Sequence, residues 1–256
     1  VTQLPLGVIG IAIGTALLPL LARQLRAGQD EAAMANQNRA IEFGLLFSIP
    51  STAALWILAE PMIRVLFEHG KFSPDDTLRT ASALVAYSMG LPAFMLVKAL
   101  TPGFFAREDT RTPLYTAIVS IAVNVALNAV FVLETPLAQF GIALSTSISG
   151  WLNAVLLAAV LRRRGYWRAD ARLVSRTWRI AAATIGMGGA LWLGLTMLKA
   201  PLAHPTLVGV VAFAGIVALG GAVYGLLGMA LGVIRLGELR GALRRSATAG
   251  VPDAPQ

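Results

Sequence analysis

The 256 residues are 56% hydrophobic and only 13% charged, with a mean hydropathy of +0.70. A soluble domain carries about 25% charged residues, so the chain reads as an all-α integral membrane protein. Cysteine is absent, which excludes a disulfide framework and thiolate chemistry. The net charge of +8 raises nucleic acid as a partner, but the distribution of the basic residues argues against it.

A spanning helix needs about 20 mostly apolar residues. Stretches without a charged residue cover 1–22, 43–59, 80–97, 112–133, 135–161, 180–198 and 200–234, predicting about seven transmembrane helices. The first begins at Val1 without the basic region or small-residue cleavage site of a signal peptide. It is therefore expected to lie inside a longer protein. Its glycines, Gly7, Gly10 and Gly14, share one helix face. Small residues there permit close helix packing or a moving helix contact. The polar segment 28–42 is expected to form a cytoplasmic helix leading into the second span. Asp30 and Glu31 suit its N-terminus after Gly28.

The second and third spans are short by strict count and extend through 60–67 and 98–106. Pro50 and Pro92 fall mid-span and predict kinks. Lys98 is the sole lysine or arginine deep within a predicted span. It either snorkels to the cytoplasmic interface or faces a water-filled cavity and an anionic ligand. In the connection REDTR, Glu108 and Asp109 beside two arginines read as a charged, capped turn before Pro113.

The fourth span carries Thr112, Thr116, Ser120, Asn124 and Asn128, each four residues from the next. Steps of four drift about 40° on a helix of 3.6 residues per turn, giving a slanted polar stripe. The fifth span adds Ser145, Thr146, Ser149 and Asn153. Such stripes are interhelical glue, a hydrated cavity wall or an oxygen-lined cation site. Beyond the fifth span, Pro201 and Pro205 move the expected start of the last helix to near Thr206.

Alternate connections hold sixteen lysines and arginines on one side and four on the other. By the positive-inside rule the richer side is cytoplasmic, the C-terminus included. This reads the basic residues as topology signals and contacts with anionic membrane lipids, not nucleic acid. The two histidines, His69 and His204, lack a partner at ligand spacing in the sequence. No catalytic constellation, metal site or cofactor motif is apparent, so the chain is read as a non-enzyme.

The order of motifs resembles the lipid II flippases of bacterial peptidoglycan synthesis, the MurJ (MviN) family of the MATE-like transporter superfamily. The resemblance lies in QLPLGVIGIAIGTALLPLL at 3–21, HGKFSPDDTLRTASALVAYSMGL at 69–91, KALTPGFFAREDTRTPLYTA at 98–117 and GIALSTSISGWLNA at 141–154. It runs over nearly the whole chain, to about Arg245. The resemblance implies the C-terminal half of a fourteen-helix transporter, spans eight to fourteen, with the eighth cut at its start. Residues 1–161 would form the lobe core. Residues 162–234 would add two spans, about 176–198 and 206–234, forming a groove for a lipid tail. Residues 235–256 would be a basic cytoplasmic tail with a disordered end.

The implied activity is alternating-access flipping of lipid II, an undecaprenyl-diphosphate-linked saccharide peptide, across the bacterial inner membrane. The missing N-terminal lobe would be the partner and would supply most of the cavity arginines. The substrate or cavity residues expected from this chain are Lys98, Ser120, Asn124, Asn128 and Asn153. Some family members bind sodium at positions matching Asn124, Asn128, Thr146 and the carbonyl of Ile142. Asn128 replaces an aspartate of that pattern, so an amide oxygen remains without the charge. Sodium or the membrane potential would couple transport. The alternatives are a related exporter of another lipid-linked saccharide or a drug, and a membrane scaffold without transport, docking through the arginine-rich 162–179.

Overall fold

The computed structural model describes residues 16–134, 138–198 and 206–233. Gly7, Gly10, Gly14, His204 and the tail lie outside the described residues. A helical segment α1 covers 16–26. There follow α2 (Asp30–Phe67), α3 (Pro74–Ser88), α4 (Leu91–Phe105), α5 (Arg111–Glu134), α6 (Ala138–Arg163), α7 (Ala171–Met197) and α8 (Leu207–Ala230). The described residues are all-helical apart from turns and connections, and six spans are long and apolar enough to cross a membrane.

The helix ends follow local chemistry. Gly28 takes a left-handed φ of +70° and closes α1. The Gln29 N–H then donates to the Gln24 carbonyl. Ser73 and Asp76 form a reciprocal capping box on α3. Asp170 accepts the Leu173 N–H at 2.7 Å and starts α7. Thr206 caps α8, at the start expected from the two prolines upstream.

Two expectations change in detail. The polar segment 28–42 is no separate helix; from Asp30 it is continuous with the second span through Phe67. One face of it is buried, with Gln37, Asn38 and Glu42 at 1%, 2% and 5% exposure. Gln37 donates to the carbonyls of Ala99 and Leu100 on α4. Asn38 donates to the Arg168 carbonyl and accepts from the Trp167 indole. The third span is likewise two helices, α3 and α4, broken at Met89–Gly90, with Pro92 in the first turn of the second.

Proline removes the N–H that would bond the carbonyl four residues earlier. Inside a membrane protein another group must serve that carbonyl. Pro92 frees Ser88, whose carbonyl takes the Thr52 hydroxyl of α2 at 2.9 Å. Around the same break, Ser147 of α6 donates to Ala86 and Trp151 donates to Met89. Pro50 frees Leu46, whose carbonyl takes the Tyr224 hydroxyl of α8 at 2.6 Å. Each break is stitched to a neighbouring helix.

Helix α2 packs on α3, α4 and α7, while α6 packs on α3, α4 and α5, and α7 carries α8. The largest buried cluster joins Leu21, Ala99, Leu100, Phe104, Leu157, Leu161 and Ile180 at the junction of α1, α2, α4, α6 and α7. A second, with Leu58, Met187, Leu191 and Ile216, fastens α2 to α7 and α8. Large apolar side chains face outward on α5 and α8, Tyr115, Val125 and Leu207 among them. That surface suits hydrocarbon or another membrane-embedded lobe.

Candidate functional site

Two regions carry polar chemistry at depth. The first is the α5–α6 interface. Asn124 donates to Ser149 Oγ at 3.2 Å and to Thr146 Oγ1 at 3.5 Å. Its own Oδ1 accepts Asn128 Nδ2 at 3.0 Å. Ser120 and Thr116 turn their hydroxyls back onto α5 carbonyls, and Ser145 does the same on α6. Asn128 Oδ1 and Asn153 Oδ1 are buried without a hydrogen-bond partner. Of the predicted stripe, Asn124, Asn128, Thr146 and Ser149 are therefore joined across the two helices.

Sodium prefers several oxygens free to point at it. Here the Ile142 carbonyl accepts the Thr146 hydroxyl at 3.0 Å, and Asn124 Oδ1 already holds Asn128. No carboxylate belongs to the set, and Asn128 Oδ1 is its one oxygen without a donor. In this arrangement the four residues fit one another better than a bare cation.

The second region is a groove of about 980 Å³ between α1, α2, α7 and α8. Its walls include Leu17, Leu20, Phe43, Phe47, Ile180 and Val217, and one end holds Arg39, Glu42, Arg172 and Arg176. Glu42 is the hub of that end. It meets Arg176 directly, Arg39 at 2.7 Å and Arg172 at 3.6 Å. Arg39 also reaches Asp170 at 2.6 Å. Among the described residues, three guanidinium groups meet two carboxylates at this end of the groove.

Sequence reasoning used these arginines for topology and passed over Glu42. The signal was present: Glu42 is the sole acidic residue between Glu31 and Glu60, at the edge of an apolar run. Arg172 and Arg176 are four apart and so share a helix face.

Lys98 lies on α4, half-buried, and is not among the residues lining the groove. Pro50 lines it. Glu108 and Asp109 form the expected turn: Asp109 accepts the Thr112 hydroxyl, the Thr112 N–H and Arg164. Those bonds, the Thr112 hydroxyl foremost, hold the Asp109 carboxyl down at about 2. His69 is exposed after α2.

The family model described as lipid II flippase MurJ matches residues 1–213. This chain belongs to the MurJ family. A probable lipid II flippase MurJ of Rhizobium meliloti (strain 1021) is 44% identical over 249 residues, covering 96% of this chain and 46% of the relative. The Rhizobium tropici protein of the same description is 41% identical, covering 98% of this chain and 47% of itself. A solved lipid II flippase MurJ in an inward closed conformation superposes with a TM-score of 0.69 at 25% identity. That match covers 88% of this chain and 43% of the solved one. The chain thus spans about half the length of the curated MurJ relatives it matches. MurJ proteins are flippases, so the family is one of multi-pass membrane transporters and not of enzymes.

Proposed function

We propose that this chain serves as the C-terminal lobe of a transporter that flips lipid II across the bacterial inner membrane by alternating access. The observation that carries the reading is the groove between α2, α7 and α8, set in a chain of the MurJ family. Lipid II joins a long polyisoprenyl chain to a diphosphate and a large polar head. An apolar groove of about 980 Å³ suits the chain, and an arginine-bearing end suits the anionic surface of the cytoplasmic leaflet.

In this reading residues 1–161 form the lobe core and 162–234 add the tail groove. The C-terminus is cytoplasmic, as the arginine asymmetry implies. The head group would cross the membrane in a cavity shared with the N-terminal lobe, the partner that supplies most cationic contacts. Lys98 is the cation this chain would add to that cavity. Ser120, Asn124, Asn128 and Asn153 would line its polar wall. Membrane potential, acting on Lys98 and the cations of the partner lobe, is the favoured source of coupling; no step is assigned to sodium, since the Asn124, Thr146 and Ile142 oxygens already accept hydrogen bonds.

The test is complementation. The full-length protein should restore growth and lipid II externalisation to a flippase-depleted strain. Bulky replacements on the groove wall, such as Gly221→Trp, should lower flipping at normal protein levels. Restored growth without restored externalisation would remove lipid II as the substrate. Inhibition of flipping by another lipid-linked saccharide would favour that cargo instead.

A further inference from the structure

Tyr224, Leu46 and Pro50 all line the groove. Tyr224 supplies the hydrogen bond that Pro50 denies to the Leu46 carbonyl, at 2.6 Å. The donor thus sits on one wall of the groove and the acceptor on the other. Water is scarce among such apolar walls, so a carbonyl released there has little to replace the phenol.

The helix around Pro50 holds more polar chemistry. Ser48 Oγ, two residues from Leu46, is buried without a partner. One turn on from Ser48, the Thr52 hydroxyl spans the Ser48 carbonyl and the Ser88 carbonyl, each at 2.9 Å. Ser88 is the residue that Pro92 frees at the α3–α4 break. The two proline sites are therefore connected through α2, and the Tyr224 hydroxyl ties the first of them to α8 across the groove. Behind Tyr224 the packing is uneven. A Cβ on Gly220 would meet Leu191 at 2.4 Å, whereas one on Gly221 meets nothing within 4 Å. The helix backbone is pinned to α7 on one side, with open space beside it.

We propose that Tyr224 is a positioning residue that couples occupancy of the groove by a lipid chain to the α2 backbone at Pro50. A chain lying between α2 and α8 occupies the space of the phenol and separates it from Leu46. The released carbonyl loosens α2 at Pro50, and Thr52 carries the change to the α3–α4 break. This rests on the reading of the groove as a chain site; the Tyr224–Pro50 linkage itself does not.

The experiment follows amide hydrogen exchange across residues 47–54 in the full-length protein in nanodiscs. The variants are Tyr224→Phe, Pro50→Ala and the pair, each with and without undecaprenyl phosphate. Loss of a hydrogen bond of ~1 kcal/mol predicts about fivefold faster exchange in Tyr224→Phe. In the Pro50→Ala background Tyr224→Phe should change nothing, because residue 50 then gives its own N–H to Leu46. Undecaprenyl phosphate should accelerate exchange in the native protein but not in Tyr224→Phe. Equal exchange in native and Tyr224→Phe protein, or the same acceleration with and without Pro50, overturns the linkage. Photo-cross-linking from a benzophenone side chain at position 217 reports separately on the lipid. A cross-link with unchanged exchange overturns the coupling. No cross-link overturns the groove reading and the coupling with it, and the ligand-free variants show that failure to be distinct from failure of the linkage.

Discussion

Arg176 of α7 donates to the carboxylate of Glu42 on α2, and both side chains are buried, at 10% and 6% exposure. Glu42 is the shared ion-pair partner of three arginines at one end of the groove. Removing one partner of a buried pair leaves the other charge without compensation, at a cost of about 3–5 kcal/mol. Glu42→Gln is therefore expected to lower the thermal stability of the detergent-solubilised protein markedly. The Glu42→Gln/Arg176→Gln double variant should lose less than the two single losses added together, as contacting residues do. Thermal unfolding of the four proteins checks this; strict additivity would show that the pair does not fasten α2 to α7.

The α5–α6 band makes a different prediction. Asn128 contributes one hydrogen bond, to Asn124, and one buried oxygen without a donor. Interhelical polar contacts in membranes average about 0.6 kcal/mol, and removal of an unsatisfied atom offsets part of that. Asn128→Leu should keep the melting temperature within a few degrees while lowering lipid II flipping strongly. Asn124→Leu, which also severs Ser149, should be the less stable variant. A large stability loss in Asn128→Leu, matched by the fall in flipping, would make the residue interhelical glue alone.

The two regions differ in how far the sequence announced them. The polar stripe was legible because Thr112 to Asn128 recur every four residues in an apolar background, a pattern that helix geometry converts directly into a face. Thr206 as a cap was legible from the prolines before it. The α3–α4 break was half legible: Pro92 marked the region, but the chain parts at Met89–Gly90 because Trp151 and Ser147 of α6 serve the freed carbonyls there. The Glu42 hub was hidden because two of its three arginines, Arg172 and Arg176, come from more than 100 residues away. Gln37 and Asn38 read only as part of a polar helix, because their acceptors and donors lie on α4 and beside α7. Local periodicity reports faces; it does not report which distant face is opposite.

Lys98 tests the proposed cavity. A cation at that depth in α4 should matter through its charge. Lys98→Ala in the full-length protein is expected to impair complementation of a flippase-depleted strain, and Lys98→Arg to impair it less. Full growth with alanine at normal protein levels would remove Lys98 from the substrate path.

The Asp109 turn gives a pH dependence. Its carboxyl is held at about 2, below the ordinary 3.8, by the Thr112 hydroxyl and N–H and by Arg164. A carboxyl with a depressed folded value contributes stability that is fully present above its unfolded value and is lost as pH falls through the folded one. The contribution should therefore be complete above about pH 4 and fade between roughly pH 4 and 2. Asp109→Asn should flatten that part of the stability–pH curve relative to the native protein. Parallel curves for the two proteins would deny the turn any share in acid sensitivity.

Two glycines separate packing from propensity. A Cβ on Gly103 would meet Gln37 Nε2 at 2.5 Å, and that nitrogen already serves the Ala99 and Leu100 carbonyls. Gln37 is buried, so Gly103→Ala either shifts the backbone or moves the amide away from both carbonyls. Overpacking of this kind costs about 1–3 kcal/mol. Gly221, by contrast, has nothing within 4 Å of an added Cβ, and alanine is about 1 kcal/mol better than glycine inside a helix. Gly221→Ala should therefore leave the melting temperature unchanged or raise it, while Gly103→Ala lowers it by several degrees. The opposite order would mean that α2 does not seat on α4 through Gln37, and that the polar start of α2 is held by Asn38 and Glu42 instead.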